Sequence, residues 1–447
     1  MSGAERRTVA VVGAGLVGSL AACYLGRRGY RVDLYERRSD PRSAAVERGR
    51  SINLALSERG LDALRRIDLV DTVMAPALPM HGRMIHGRDG GTTFQSYSVG
   101  GDRAINSISR GALNNTLLDA AEATEGVTLN FDSRLVAYEL TTNTLTFELS
   151  GTTFDVTPDV VLGADGFGSV VRTSLQSRGR VAVATDPLDV GYKELTIAPI
   201  EGDFALDPDA LHIWPRGASM MIALPNPDAS FTCTLFWPRT GEAGFGALQS
   251  EQEILAHFTA VYPDAVRLMP TLVEDFQFNP IGQLATLHTD PWQVEAKVAL
   301  IGDAAHAILP FFGQGANCGF EDVVELDRCL AETDDDWSFA LPMYQQRRRV
   351  HAEAIAQLAE ENFDEMRDRV GSRAFLLSKR LEHGLEKVLP GTYMSRYEMV
   401  SFTTIPYAEV VARTRRQQRA VALGVGAALL AVAAVGITAF RLRTDSA

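Results

Sequence analysis

Cysteine is scarce: the 447 residues hold four, Cys23, Cys233, Cys318 and Cys329, with no CxxC pair. That excludes a disulfide-stapled scaffold and reads as reduced, buried thiols in a cytosolic compartment. Lysine is as rare, occurring only at 193, 297, 379 and 387, so arginine carries nearly all the positive charge. Acidic residues outnumber basic ones, and the net charge of -13 argues against nucleic acid as a partner. The eight histidines show no HxxxH spacing, so no metal is expected. Internal repeats and low-complexity linkers are missing. No signal peptide is expected, because the apolar N-terminal stretch is interrupted by glycines that a fold would need. What is present is 46% hydrophobic and 22% charged, over a length that exceeds one ordinary core. Two or more domains are therefore expected.

Three segments repeat one design of apolar strand, glycine turn and helix start. The first is Val9-Ala10-Val11-Val12-Gly13-Ala14-Gly15-Leu16-Val17-Gly18. Its GxGxxG pattern suits a pyrophosphate on a helix N-terminus. Gly13 allows the sharp turn, Gly15 lets backbone approach the phosphates, and Gly18 lets helix pack on strand. A second strand, Arg31 to Tyr35, ends at Glu36, about where an acid would bond a ribose. The second segment runs from Val160 through Asp165-Gly166 to Ser169 and Arg172; alone, Asp165-Gly166 is a turn dipeptide. The third runs from Val298 to Gly302-Asp303 and His306, followed by Pro310-Phe311-Phe312-Gly313-Gln314-Gly315-Ala316-Asn317. Asp303 could bond a ribityl hydroxyl or merely cap its helix. FAD is the expected cofactor.

These three elements, in this order, resemble the single-component FAD-dependent aromatic hydroxylases over nearly the whole chain. The match narrows toward the kynurenine 3-monooxygenases at residues 49–57, at Met80 to His86, at Ile105 to Arg110, at the Pro310 to Gly315 loop and at Asn362 to Arg367. The resemblance implies NADPH- and FAD-dependent 3-hydroxylation of L-kynurenine by O2, in tryptophan degradation, through a flavin C4a-hydroperoxide. NADPH would bind transiently, since one GxGxxG is present. By the same resemblance Arg83 would grip the amino-acid carboxylate of kynurenine, as a planar guanidinium can. Tyr97, Asn362 and Tyr397 would close that end of the pocket, with Phe311 and Phe312 near the aromatic ring. Arg110, Leu16, Val17, Arg37, Ala55, Pro310, Gly313, Gly315, Ala316 and Asn317 would join Gly13, Gly15, Gly18, Glu36, Asp165 and Asp303 around FAD. Ala316 departs from the methionine more usual there. His306 reads as structural, because the substrate's own amino group activates the ring. Two other readings stay open: a membrane-associated FAD reductase or epoxidase acting on an isoprenoid, and a non-catalytic flavoprotein redox sensor. A halogenase lacks its WxWxIP segment here.

The expected fold is α/β: a Rossmann-like FAD-binding domain, a mixed β-sheet substrate domain, a C-terminal helical region and one C-terminal transmembrane helix. The FAD domain is placed at 1–75, 100–180 and 290–330, and the substrate sheet at 76–99 and 181–289, with strands at Leu211 to Trp214 and Phe231 to Trp237. Helices are expected across 331–415, with a charged run from Leu341 to about Leu389 stopped by Pro390-Gly391. Residues 421–440, VALGVGAALLAVAAVGITAF, carry no charge and as a helix would span about 30 Å. Arginines before it outnumber those after it. That predicts a single-pass membrane anchor with the catalytic part on the cytoplasmic face.

Overall fold

The computed structural model describes residues 7–43, 53–98, 100–241, 244–365, 382, 384–389, 391–421 and 423. At its centre lies a six-stranded sheet. Its order is Gln293–Val294, Val298–Leu300, Val160–Gly163, Thr8–Val12, Arg31–Tyr35 and Val127–Asn130. All neighbours are parallel except the short Gln293–Val294 edge. Val9 to Val12 are buried on both faces, which explains a strand of unbroken apolar residues instead of alternation. The three glycine-bearing strands are adjacent, so their carboxyl ends open on one edge. Ligands of open parallel sheets bind off that edge.

Leu16–Arg27 covers the first strand and ends in a Schellman turn. Gly29, at φ +89°, donates to Gly26, and Tyr30 donates to Leu25. Helix Arg110–Ala123 and helix Gly315–Glu332 pack against it. A small antiparallel sheet, Arg134–Glu139, Thr144–Leu149 and Thr152–Val156, is inserted before the second glycine strand.

The other large sheet has seven strands. Its order is Gly282–Asp290, Ala182–Ile197, Phe231–Pro238, Met220–Pro225, Ala210–Pro215, Gly82–His86 and Thr92–Ser96. Gly82–His86 is parallel to Ala210–Pro215 and the rest are antiparallel. This sheet carries Arg83. A third strand set, Asn53–Leu56, Ile105–Ser109 and Leu78–Met80, bridges the two.

The long helix Trp337–Asp364 starts one turn before the expected charged run. Asp336 caps it by accepting from the Ser338 amide, and Pro342 lies inside it. Tyr397 sits on a six-residue helix, Arg396–Ser401, capped by Ser395. Residues 49–52, 366–381, Pro390 and nearly all of 421–440 lie outside the described residues.

The expected fold class needs one correction. No described helix is long and apolar enough to cross a membrane, so the C-terminal transmembrane helix is not supported as part of this fold. The described helical stretch leading toward it, 407–421, carries Glu409, Arg413, Arg415, Arg416 and Arg419. The single-pass anchor expected at 421–440, and the orientation inferred from it, lie almost wholly outside the described residues and are not supported.

Candidate active site

The first glycine turn is forced by contact. Gly13 has φ +104°, and a Cβ there would lie 2.5 Å from the Ala164 carbonyl oxygen. A Cβ on Gly18 would lie 1.9 Å from the Gly13 oxygen. Gly15 differs, with nothing within 4 Å of its Cβ position, so its face is open. Leu16 and Val17 form the first turn of the helix behind it. Val17 packs against Gly302 and Gly319, joining the first motif to the third. Glu36 accepts from the amides of Ala14, at 3.0 Å, and Arg38, at 3.1 Å, which fixes its carboxylate across the turn. Arg37 beside it is exposed.

The two aspartates differ. One oxygen of Asp165 accepts from the amides of Val170 and Val171 and so caps helix Val170–Ser177. Its other oxygen is buried with no partner, and burial raises its pKa. Asp303 is exposed at the end of the third strand, and desolvation by the groups around it raises its pKa against the pull of His306 and Arg110. No described side chain or amide bonds its carboxylate. An open Gly15, a helix N-terminus and a free carboxylate at the carboxyl ends of neighbouring strands of one sheet fit a dinucleotide with polyol hydroxyls.

The late loop follows the third strand and its short helix. Pro310–Phe312 is a short 3-10 turn, ended by Gly313 at φ +63°. Gly315, with nothing within 4 Å of its Cβ position, and Ala316 begin helix Gly315–Glu332. Asn317 commits its side chain to the protein. Its amide nitrogen donates to Ala55, at 2.9 Å, and Gly313, at 2.8 Å, and its oxygen accepts from Ser57 at 3.0 Å. Only main-chain groups of Asn317 are left to face a ligand.

Beyond this loop, one pocket gathers Arg83, Tyr97, Phe312, Asn362 and Tyr397. Arg83 and Tyr97 are both buried, and Tyr97 stacks on Tyr397 at 5.0 Å. The Arg83 guanidinium lies 4.5 Å over the Tyr397 ring, and Phe312 stacks on that ring at 5.7 Å. Arg83 Nε and the Tyr97 hydroxyl are buried without a partner. Burial drives the Tyr97 pKa far up, so its hydroxyl stays protonated. Asn362 is buried and donates to the Phe311 carbonyl at 2.6 Å. The Phe311 ring turns away from the pocket, into a core with Phe236 and Phe363.

The FAD binding domain family matches residues 6–359. Kynurenine 3-monooxygenase of Myxococcus xanthus is 46% identical, covering 91% of this chain and 88% of its own. That of Salinispora arenicola is 43% identical over 98% of this chain and 97% of its own. The chain belongs to the kynurenine 3-monooxygenase family. It is an FAD-dependent aromatic monooxygenase. Dictyostelium discoideum has a further relative of that name, 42% identical over 90% of this chain and 89% of its own. Among solved structures, 2-methyl-3-hydroxypyridine-5-carboxylic acid oxygenase superposes with a TM-score of 0.67 at 22% identity. It covers 84% of this chain and 97% of its own, and at that identity it speaks for the fold alone.

Six pocket residues escaped the sequence reading: Gln95, Ser96, Glu365, Glu382, Ser395 and Arg396. Glu365 had a signal, since it stands one helical turn from Asn362 and so shares its face. Arg396 bonds Glu365 at 3.0 Å and Glu361 across the pocket rim. His306 Nε2 meets Asp322 at 2.6 Å and its ring stacks on Trp292, while its Nδ1 is buried without a partner. His306, Cys318 and Asp322 lie close enough to hold a metal, but the Arg348 guanidinium already bonds both Asp322 and Cys318.

Proposed function

We propose that this enzyme catalyses the 3-hydroxylation of L-kynurenine, with NADPH and O2 as co-substrates. The observation that carries this is the buried Arg83, with a free Nε, between two tyrosines at one end of a pocket whose other wall is the Phe312 loop. A buried guanidinium with unmet donors calls for a carboxylate. Kynurenine carries one at its amino-acid end, opposite its aminophenyl ring. Arg83 would hold that carboxylate by two bonds, with Tyr97 and Tyr397 as further donors. Asn362 would fix the Phe311-Phe312 loop that orients the ring. An isoprenoid would set hydrocarbon against this charge, at high cost.

FAD, once bound and reduced by NADPH, supplies the oxygen chemistry. Around it Gly13, Gly15, Leu16, Val17 and Gly18 would cradle the pyrophosphate, and Glu36 with Arg37 the adenosine end. Arg110, Asp165 and Asp303 would face the ribityl and phosphate groups. Ala55, Pro310, Gly313, Gly315, Ala316 and Asn317 would form the loop against the isoalloxazine. The residues described here exclude water and aim the ring carbon beside the amino group toward the flavin. The cavity between the pocket side chains is about 60 Å³, room for about two waters. Admitting kynurenine therefore requires side chains at the rim to move.

The test follows NADPH oxidation with and without L-kynurenine, with an assay for 3-hydroxykynurenine. Kynurenine-stimulated oxidation with matching product is expected. A flavin-loaded enzyme indifferent to kynurenine would sink the substrate assignment. In Arg83→Ala, kynurenine KM should rise about a hundredfold, the loss of a charge-assisted pair of roughly 3 kcal/mol. FAD content should be unchanged; an unchanged KM would remove Arg83 from the site.

A further inference from the structure

We infer that Arg59 is a positioning residue for the substrate pocket: it clamps the segment carrying Tyr397 onto the flavin loop. Arg59 is 1% exposed, on helix Glu58–Arg65 directly behind Ala55. Its donors do not serve its own helix. Nε donates to the Val400 carbonyl at 3.0 Å. One terminal nitrogen donates to the Met399 and Ile405 carbonyls, and the other to Glu321. Met399 and Val400 are near the C-terminal end of helix Arg396–Ser401, where carbonyls lack helical partners and a cation is favoured.

The same guanidinium lies over the Tyr407 ring, 3.8 Å from its centre. Tyr407 donates its hydroxyl to Gln314 at 2.9 Å, and Gln314 is the residue between Gly313 and Gly315 of the flavin loop. Glu321, on helix Gly315–Glu332, is shared with Arg348, which also holds Asp322; Asp322 accepts from the Gly302 amide beside Asp303. One buried cation thus ties residues 396–407 to both loops expected around the cofactor. Tyr397 is two residues before the clamped carbonyls, so the pocket wall exists only while this segment is docked. A lysine has one point of charge and cannot bond several carbonyls and cover a ring at once.

The inference rests on Tyr397 belonging to the kynurenine pocket, and it is tested with a readout independent of substrate. Arg59→Lys is prepared with FAD, and amide hydrogen exchange over 396–411 is measured beside kynurenine kinetics. The variant should keep full FAD content, exchange 396–411 at least tenfold faster, and raise kynurenine KM at least tenfold with kcat within about threefold. Wild-type exchange and KM in a flavin-loaded Arg59→Lys would overturn the inference. If that variant does not fold, Tyr407→Phe decides. It keeps the ring under Arg59 and removes the Gln314 bond. Faster exchange with KM up about threefold supports the clamp, and no change in either overturns it. A wild-type enzyme that ignores kynurenine would instead sink the substrate assignment and leave the exchange comparison standing.

Discussion

Asn317 shows how a residue expected to touch the cofactor can act through the protein instead. Its side chain satisfies two carbonyls and one amide from Ala55, Gly313 and Ser57. It thereby fixes the distance between the strand end Asn53–Leu56 and the late glycine loop. A buried group stripped of its partner costs about 1–3 kcal/mol. Asn317→Ala strands three such groups, so the loop should loosen and FAD affinity should fall by about tenfold or more. Titrating apoenzyme with FAD and following flavin fluorescence measures this. Affinity equal to wild type would mean the loop holds without Asn317. The sequence reading reached Asn317, Arg83 and Tyr97 through family resemblance, because a lone arginine or asparagine carries no local pattern. Burial and orphaned donors, which set Arg83 apart, depend on neighbours such as Tyr397, far along the chain.

At the scale of elements, the strand–turn–helix units were legible because their constraints are local. Gly13, Gly15 and Gly18 stand in one turn, and each glycine's reason can be separated. A Cβ on Gly18 would lie 1.9 Å from the Gly13 oxygen, while a Cβ on Gly15 meets nothing within 4 Å. Gly18→Ala should therefore lose stability or fail to fold. Gly15→Ala should fold with near-wild-type apoenzyme stability yet bind FAD at least tenfold more weakly, since its methyl enters the space of the phosphates. Urea denaturation of apoenzyme and FAD titration separate the two. Equal FAD affinity in Gly15→Ala would mean that the phosphates do not pass this residue. The long helix starts at Trp337, inside the helical region expected at 331–415, and Pro342 lies within its first two turns. The cap that decides its start is Asp336 with Ser338. The anchor was read from hydropathy alone, over a segment where alanine and glycine fill half the positions, and no described helix is of membrane-spanning kind.

For the whole molecule, acid should act on the seven-stranded sheet through its buried polar chain. Asp264 bonds His86 at 2.7 Å and Trp214 at 2.8 Å. His86 bonds His212 at 2.8 Å, and His212 bonds the Asp207 carbonyl at 2.8 Å. Arg216, Arg88 and Tyr262 flank the cluster. These residues are distant in sequence, so nothing local announced them, yet they hold the strand that carries Arg83. Burial lowers the His212 pKa from 6.5 to about 4. Between those values the unfolded chain binds the proton that the folded one refuses, so stability falls as pH drops from about 6.5 to about 4. Burial opposes the Asp264 charge, but the bonds from His86 and Trp214 prevail and hold its pKa at about 2, below the ordinary 3.8. That contribution is complete above about pH 4 and is lost as pH falls toward 2. The His212 effect is on the order of 3 kcal/mol and the Asp264 effect on the order of 2 kcal/mol. Trp214 stacks on His86 at 4.0 Å and reports the cluster directly. In urea titrations followed by tryptophan fluorescence, the wild-type midpoint should fall from pH 6.5 to 4. In His212→Gln it should start lower at pH 7 and change less across that window. A wild-type midpoint flat from pH 7 to 4 would show that His212 takes up its proton without strain, and that the sheet beneath Arg83 is held by packing alone.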